Sequence, residues 1–424
     1  MSLLARILDV QPDPLELASR VVDRPGAALL WTGFGEGRAF VACDPVASST
    51  KLDPEPELGL EPDGGPLAEV PRWIGVLPYE CTRGLERPRH ALPVDPRAEP
   101  HAVSPVWYRY PAVATVADRV LVVGEDAASV SHLWRLLARP ARPLQARARL
   151  AQPPEPEALH EARVRDALDL ISAGDLYQVN LARRFEFDVQ GSATALLRGM
   201  SRGGFALYAA AFQFGGLAVV SGSPELFLAV TPDGRLVTSP IKGTRPRGAD
   251  AGSDARLIRE LDLDPKENAE LAMIMDVERN DLGRVARVGS VRVLAQPHVV
   301  TLPTVHHRLA TIGARLRSDV TRRELLEATL PSGSVTGAPK IRAMEVIAKL
   351  EPARRGLYTG ALGMLAHNGG LRLSMAIRTL TVRGGRGHYY SGGGIVADSD
   401  PRREVRETVW KAAPVAALDP LLRS

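Results

Sequence analysis

Residues 221–245, SGSPELFLAVTPDGRLVTSPIKGTR, constrain the fold more than any other stretch of this 424-residue chain. Two alternating runs, Leu226–Val230 and Arg235–Ile241, flank Pro232-Asp233-Gly234, whose turn chemistry predicts an antiparallel hairpin. A hairpin brings its outer ends together, so Glu225 and Lys242 are expected as neighbours, a carboxyl and an amine sharing one site. Lys242 stands between Pro240-Ile241 and Gly243-Thr244, a setting that presents a side chain at a strand end. Lysine is a nucleophile only as the free amine, a state that burial or nearby cations favour. On charge alone the commoner reading is a structural ion pair.

The remaining chain supplies the context. With 45% hydrophobic and 24% charged residues it is a globular sequence with ample core. The net charge of +4 is small, and no run of five basic residues occurs, which argues against nucleic-acid binding and leaves room for an anionic small substrate. Cys43 and Cys81 are too few for a disulfide framework or a zinc site. Acidic residues Asp9, Asp13 and Glu16 interrupt the N-terminal segment, and no apolar run of about 18 residues exists, so no signal or membrane span is expected and the protein is expected to be cytoplasmic.

Taken in order, residues 1–150 alternate short apolar runs with Pro/Gly-rich loops, and Pro140–Pro156 has linker composition, which places the main boundary there: an N-terminal region, 1–150, contributing strands, and a second region, 151–424. Helices are expected at Ala127–Leu137, Glu157–Ala173, Asp254–Leu261, Asp264–Asp276, Arg322–Thr329, Ile341–Leu350 and Arg402–Ala412. Strands are expected at Leu176–Phe187, Phe205–Phe214, Leu217–Ser221, Ser290–Leu294, Val299–Thr304, Leu357–Leu365, Leu371–Val382 and Gly387–Tyr390, with connections from 176 to the hairpin too short for parallel crossovers. Gly333–Lys340 has a superficial likeness to a phosphate loop but lacks the Gly-Lys-Ser/Thr ending, so a nucleotide site is rejected.

Two Glu-x-x-Glu pairs stand out. Glu267 and Glu270 share one face of a helix, and Glu404, Glu407 and Lys411 share a stripe of the last one. An isolated helix of this kind reads as a solvated, ion-paired face. If the two helices face each other, four carboxylates around one pocket repel without a divalent cation, and oxygen ligation suits magnesium. In His306-His307 the side chains of an extended segment point apart, so only one can face a given pocket.

Segments Asp175–Phe185, Ser223–Thr244, Glu267–Arg284, Gly333–Lys340, Tyr358–Gly363, Ser374–Thr379 and Gly392–Lys411 together resemble the chorismate-utilising enzymes, a family that includes anthranilate, aminodeoxychorismate, isochorismate and salicylate synthases. The resemblance implies an α+β fold in which two large antiparallel sheets pack as an interwoven sandwich with helices outside, and residues 151–424 as its chorismate-binding catalytic region. It implies Mg2+ on Glu270 and Glu407, with Glu267 and Glu404 as outer or water-mediated partners. It assigns the substrate carboxylates to Tyr358, Arg378 and Lys411, aided by backbone donors at Gly393-Gly394 and Thr336-Gly337-Ala338, and it makes His307 the active-site histidine.

Within the family, Lys242 stands where anthranilate- and isochorismate-forming enzymes usually have alanine, so Pro240-Ile241-Lys242-Gly243-Thr244 is closest to the aminodeoxychorismate synthase component I branch. Gln178 stands where isochorismate and salicylate synthases carry a water-activating lysine, which favours ammonia over water as nucleophile. The implied reaction converts chorismate to 4-amino-4-deoxychorismate, toward p-aminobenzoate and folate. Lys242 attacks ring carbon 2 while Glu225 protonates the departing 4-hydroxyl, and ammonia then adds at carbon 4 and expels the lysine. Neither cysteine lies in the Gly-x-Cys-x-Gly elbow of the family's glutaminases, so ammonia is expected free or from a separate glutaminase subunit, and no lyase segment for pyruvate removal is expected. The rival expectations are an anthranilate synthase component I and a silent homologue that only binds chorismate or an amino acid; four clustered carboxylates argue against the second.

Overall fold

The computed structural model describes residues 3–33, 37–82, 97, 100–202 and 204–419. Two antiparallel sheets, of twelve and ten strands among the described residues, organise the chain. The larger runs, edge to edge, through Leu4–Leu8, Val120–Gly124, Ala112–Val116, Ala39–Ala42, Ala28–Trp31, Tyr208–Phe214, Leu217–Ser223, Thr379–Arg383, Arg386–Ile395, Gln178–Gln190 and Gly337–Ala338. The smaller runs through Ile241–Pro246, Val305–Arg315, Arg235–Ser239, Leu226–Val230, Leu371–Met375, Ala361–Ala366, Pro71–Leu77, Val106–Arg109 and Ala47–Ser49. Each sheet mixes strands from before and after residue 150, so the two parts of the chain are interwoven.

Period-two alternation explains why so many strands are apolar on both faces. Along Tyr208–Phe214, Ala209 and Ala211 face a core covered by helices Pro14–Ser19, Ala127–Leu137, Ala193–Met200 and Pro401–Ala416. Ala210, Phe212 and Phe214 face the other way, into the layer between the sheets, where they meet Ile74, Val76, Leu362 and Met364. The outer face of the smaller sheet is covered by helices Pro265–Gly283 and Arg322–Thr329, through Leu271, Met275, Leu325 and Leu326. The α+β sandwich with helices outside is thus the observed architecture.

Several local expectations change. The segment with linker composition contains a strand, Arg147–Leu150, which pairs with Phe187–Gln190; a ladder of four residue pairs outweighs the flanking prolines. The expected strand Leu371–Val382 is two strands belonging to different sheets, broken at Arg378, whose φ of 50° lies in the left-handed region. The expected pair Ser290–Leu294 and Val299–Thr304 is one irregular strand, Arg292–Thr301. The predicted strand Arg235–Ile241 stops at Ser239 and restarts at Ile241, because Pro240 has no N–H to give to the ladder. Helices Pro14–Ser19 and Ala193–Met200 are additional to the expected ones; the first starts at an Asp13-Pro14 pair and the second at a Ser192 cap.

Candidate active site

Leu226 pairs with Ser239, so the hairpin does bring Glu225 and the segment leading to Lys242 together. Beyond Pro240 the chain pairs with Val305–Arg315, Lys242 opposite Arg308 and Thr244 opposite His307, which leaves Gly243 as an extra residue. Gly243 has a φ of 81°, and a Cβ there would lie 3.1 Å from the Glu267 carboxylate and 2.7 Å from Leu261. Only glycine permits this bulge, and the bulge turns Lys242 toward a cavity of about 350 Å3.

Ser334 links the two predicted catalytic groups. Lys242 Nζ donates to the Ser334 carbonyl at 3.2 Å, and Ser334 Oγ donates to Glu225 Oε1 at 2.7 Å. Glu225 is 4% exposed, and burial lifts its carboxyl to about 7 against the opposing Ser334 hydrogen bond and Lys242 charge. A carboxyl of that strength can carry a proton near neutrality.

The acidic groups line the same cavity. Helices Pro265–Gly283 and Pro401–Ala416 both begin with an Asp-Pro pair, Asp264 accepting from the Lys266 and Glu267 amides and Asp400 from that of Arg403. Glu267, Glu270, Glu404 and Glu407 therefore lie in the first two turns, where the helix dipole favours anions. Over Gly393 the approach is close: a Cβ there would lie 2.8 Å from Glu404 Oε2 and 3.6 Å from Glu407 Oε1. Burial and the neighbouring Glu407 raise the Glu404 carboxyl to about 6, and burial also raises that of Glu270. Lysines stand among these acids: Lys411 Nζ is 2.5 Å from Glu407 Oε1, and Lys266 Nζ is 3.8 Å from Glu270 Oε1.

Arg378 also lines the cavity. Burial lowers its pKa, and its only neighbouring influence of note is the Tyr389 phenol, with no carboxylate paired to it among the described residues. Its left-handed backbone is what carries the guanidinium inward where one strand ends and the next begins. Tyr358 stacks on Tyr390 with ring centres 5.4 Å apart. His307 Nδ1 meets Thr244 Oγ1 at 2.9 Å, while its Nε2 is buried with no hydrogen-bond partner among the described residues. Burial and the Arg378 charge hold that imidazole at about 3, hence neutral. His306 points away, to Asp254 at 2.8 Å, as an extended dipeptide requires.

Glu225, Lys242, Glu267, Glu270, His307, Tyr358, Arg378, Gly393, Gly394, Glu404, Glu407 and Lys411 thus border one cavity. Thr336, Gly337 and Ala338 do not. The wall beside Lys242 is made by Ser334 and Val335 instead, because the Thr336 hydroxyl turns back to the Ser332 carbonyl at 2.8 Å and Gly337–Ala338 pair with Gln178–Val179. Sequence reasoning also missed Ser334, Asn180, Lys266 and Arg245 as lining groups. The Val335 and Asn180 carbonyls are held at 2.9 and 2.8 Å by fully buried Arg355, itself paired with Glu351. Ser334 and Asn180 lie inside the family-like segments Gly333–Lys340 and Asp175–Phe185, which could have pointed to them, whereas Lys266 and Arg245 fall one residue outside such segments.

Among the described residues, no three His, Cys, Asp or Glu side chains converge tightly enough to cage a metal alone. Magnesium does not require a cage; it is commonly held by one or two carboxylates, with water and substrate oxygens completing the shell. The donor set here, oxygen only and drawn from carboxyls of which burial first, and neighbouring acids second, raise Glu270 and Glu404, fits that mode.

Fold and cavity define a class: a double-sheet sandwich whose pocket opposes a lysine–carboxyl pair to carboxylates and a guanidinium with no carboxylate partner among the described residues, suited to a small anionic ligand. Residues 42–417 match the family described as chorismate binding enzyme, and the chain belongs to that family. It is 38% identical over 383 residues to an aminodeoxychorismate synthase of Streptomyces griseus, covering 83% of this chain and 50% of that protein. It is 46% identical over 258 residues to an anthranilate synthase component 1 of Thermus thermophilus, covering 61% of this chain and 55% of the relative. The chain thus spans about half the length of these curated relatives. The crystal structure of anthranilate synthase component I from Streptococcus pneumoniae superposes with a TM-score of 0.77 at 28% identity, covering 89% of this chain and 92% of that one. No described helix is long and apolar enough to cross a membrane.

Proposed function

We propose that this chain aminates chorismate to 4-amino-4-deoxychorismate, acting as an aminodeoxychorismate synthase component I with ammonia free or from a separate glutaminase subunit. The observation that carries the reading is the placement of Lys242 and Glu225 on the carbonyl and the hydroxyl of one residue, Ser334. An amine able to add to the ring and a carboxyl able to give up a proton near neutrality stand side by side, which is what a two-step displacement needs.

Arg378, lining the cavity with no carboxylate partner among the described residues, is suited to one substrate carboxylate, with Tyr358 and Lys411 lining the same cavity. Glu270 and Glu407 would hold Mg2+, with Glu267 and Glu404 behind them. That ion, when bound, neutralises the second carboxylate. Lys242 adds to ring carbon 2 as the ring electrons shift and the carbon 4–oxygen bond breaks, Glu225 giving its proton so that water leaves. Ammonia then bonds to carbon 4, the carbon 2–nitrogen bond breaks, Lys242 returns as the amine, and the surplus ammonium proton goes back to the Glu225 carboxylate. The barrier is divided into two lower ones, and protons and charge balance over the cycle.

A second reading, anthranilate synthase component I, has the 46% identity to the Thermus thermophilus relative in its favour. Lys242 speaks against it, since that reaction leaves the new nitrogen at carbon 2, the atom that the lysine would occupy. Incubation with chorismate, Mg2+ and ammonium, with the product identified by mass, separates the two. Aminodeoxychorismate, convertible by added aminodeoxychorismate lyase, is expected; anthranilate with pyruvate, isochorismate, or unchanged chorismate would overturn the proposal.

A further inference from the structure

Behind Glu225, away from the cavity, a second carboxyl lies at the end of a chain of hydroxyls. Ser334 Oγ is 2.7 Å from Glu225 Oε1 and 3.0 Å from Ser332 Oγ, and Ser332 Oγ is 2.5 Å from Glu278 Oε1. Glu225, Ser334, Ser332 and Glu278 are 4, 4, 2 and 3% exposed, so none exchanges freely with solvent. The Ser332–Ser334 turn places both hydroxyls between the carboxyls, its Ser334 amide donating to Ser332 Oγ at 3.1 Å. Isolated buried carboxyls at two ends of a hydroxyl chain do not serve packing; an apolar pair of similar shape would be nearly neutral for stability.

We propose that Glu278 shares a proton with Glu225 through Ser332 and Ser334, and so acts as a positioning residue that stores negative charge away from the pocket when Glu225 is spent. The inference rests on the role given to Glu225 above. Before transfer, the Glu278 hydroxyl donates to Ser332, Ser332 to Ser334 and Ser334 to Glu225. After it, Glu225 donates to Ser334, Ser334 to Ser332 and Ser332 to Glu278. Each serine breaks one O–H bond and forms another, one proton leaves Glu278 and one reaches Glu225, and the total charge is unchanged.

The surroundings explain which end should hold the charge during the reaction. Glu225 faces Lys242, but it also borders a pocket with acidic residues and receives a dicarboxylate. Glu278 faces Thr238 from the neighbouring strand, at 3.5 Å, and feels the positive charge of Lys340, itself 2.8 Å from Asp281. Burial raises the Glu278 carboxyl, and the Glu225 charge raises it further against Ser332 and Lys340. The two groups therefore titrate as one system.

Infrared difference titration of the protonated carboxyl stretch tests this without substrate, in wild type, Glu278→Gln and Ser332→Ala. In wild type the two carboxyl bands should respond together. Glu278→Gln, which keeps the shape, should delete one band and lower the Glu225 midpoint by about one pH unit, because the carboxyl that shares its proton is gone. The rate of Lys242 adduct formation from chorismate without ammonia should then fall about tenfold above the midpoint and less than about twofold below it. Ser332→Ala keeps both carboxyls and cuts the chain, so its two bands should titrate independently, which serves if Glu278→Gln does not fold. Unmoved Glu225 midpoints in folded variants, or a rate loss equal at all pH values, would overturn the proposal. Coupled bands in a protein that leaves chorismate untouched would instead refute only the assigned reaction.

Discussion

On one wall of the pocket Glu267, Glu270, Glu404 and Glu407 stand at the first turns of two helices, within reach of Lys266 and Lys411. On another, Glu225 is sealed among hydroxyls, with Glu278 behind it and one lysine in front. The residue type is the same, and the environment divides the labour. Carboxylates that crowd each other where water, lysines and substrate can enter are suited to a cation. A carboxyl removed from water, and meeting neutral donors, is suited to keeping a proton until it is needed. Two groups of acids in one cavity can thus serve as metal site and acid catalyst without exchanging roles.

The largest expected effect comes from the sealed wall. Lys242→Ala should lower amination on the order of 10³-fold or more while leaving Mg2+ affinity within about twofold, read by product mass and by calorimetry. Equal loss of both would mean that the walls are not separate. Glu225→Gln should cost about 10²–10⁴-fold. Because Glu225 works protonated and its carboxyl titrates near 7, the wild-type rate per free ammonia should decline as pH rises through about 7, and the Gln variant should lack that limb. On the open wall, Glu270→Ala or Glu407→Ala should weaken Mg2+ binding by about 10–100-fold, leaving the Glu225 carboxyl titration in place. Mg2+ binding should also weaken as pH falls through about 6, where Glu404 takes up a proton that competes with the ion.

The smallest effect is on stability. Carboxyls raised in the folded chain, Glu225 and Glu404 among them, bind protons that the unfolded chain has already released. Without metal, stability should therefore fall as pH rises from the ordinary carboxylate range through about 7, lowering the melting temperature by a few degrees. Mg2+ should restore the part due to the open wall alone.

Much of this was legible from residue pattern. Turn chemistry at Pro232-Asp233-Gly234 fixed the neighbours Glu225 and Lys242, and helical spacing put each Glu pair on one face. What local pattern could not reveal depends on contacts remote in sequence. The break at Arg378 looks like strand because Leu371–Val382 alternates apolar with polar residues over most of its length, and only the passage of the chain from one sheet to the other demands a left-handed residue there. Thr336–Ala338 were expected as donors to substrate, yet their backbone is committed to an edge pairing 160 residues away by number, with Gln178–Val179. Arg355 has a partner close in sequence, Glu351, but the carbonyls it holds, like the hydroxyls around Glu278, come from other elements.

The most direct test of the central claim is a mass measurement on protein incubated with chorismate and Mg2+ in the absence of ammonia. The account predicts a covalent adduct of chorismate less one water, mapped by proteolysis to Lys242 and discharged by ammonium as aminodeoxychorismate. An unmodified Lys242, together with full aminodeoxychorismate output from Lys242→Ala, would contradict it.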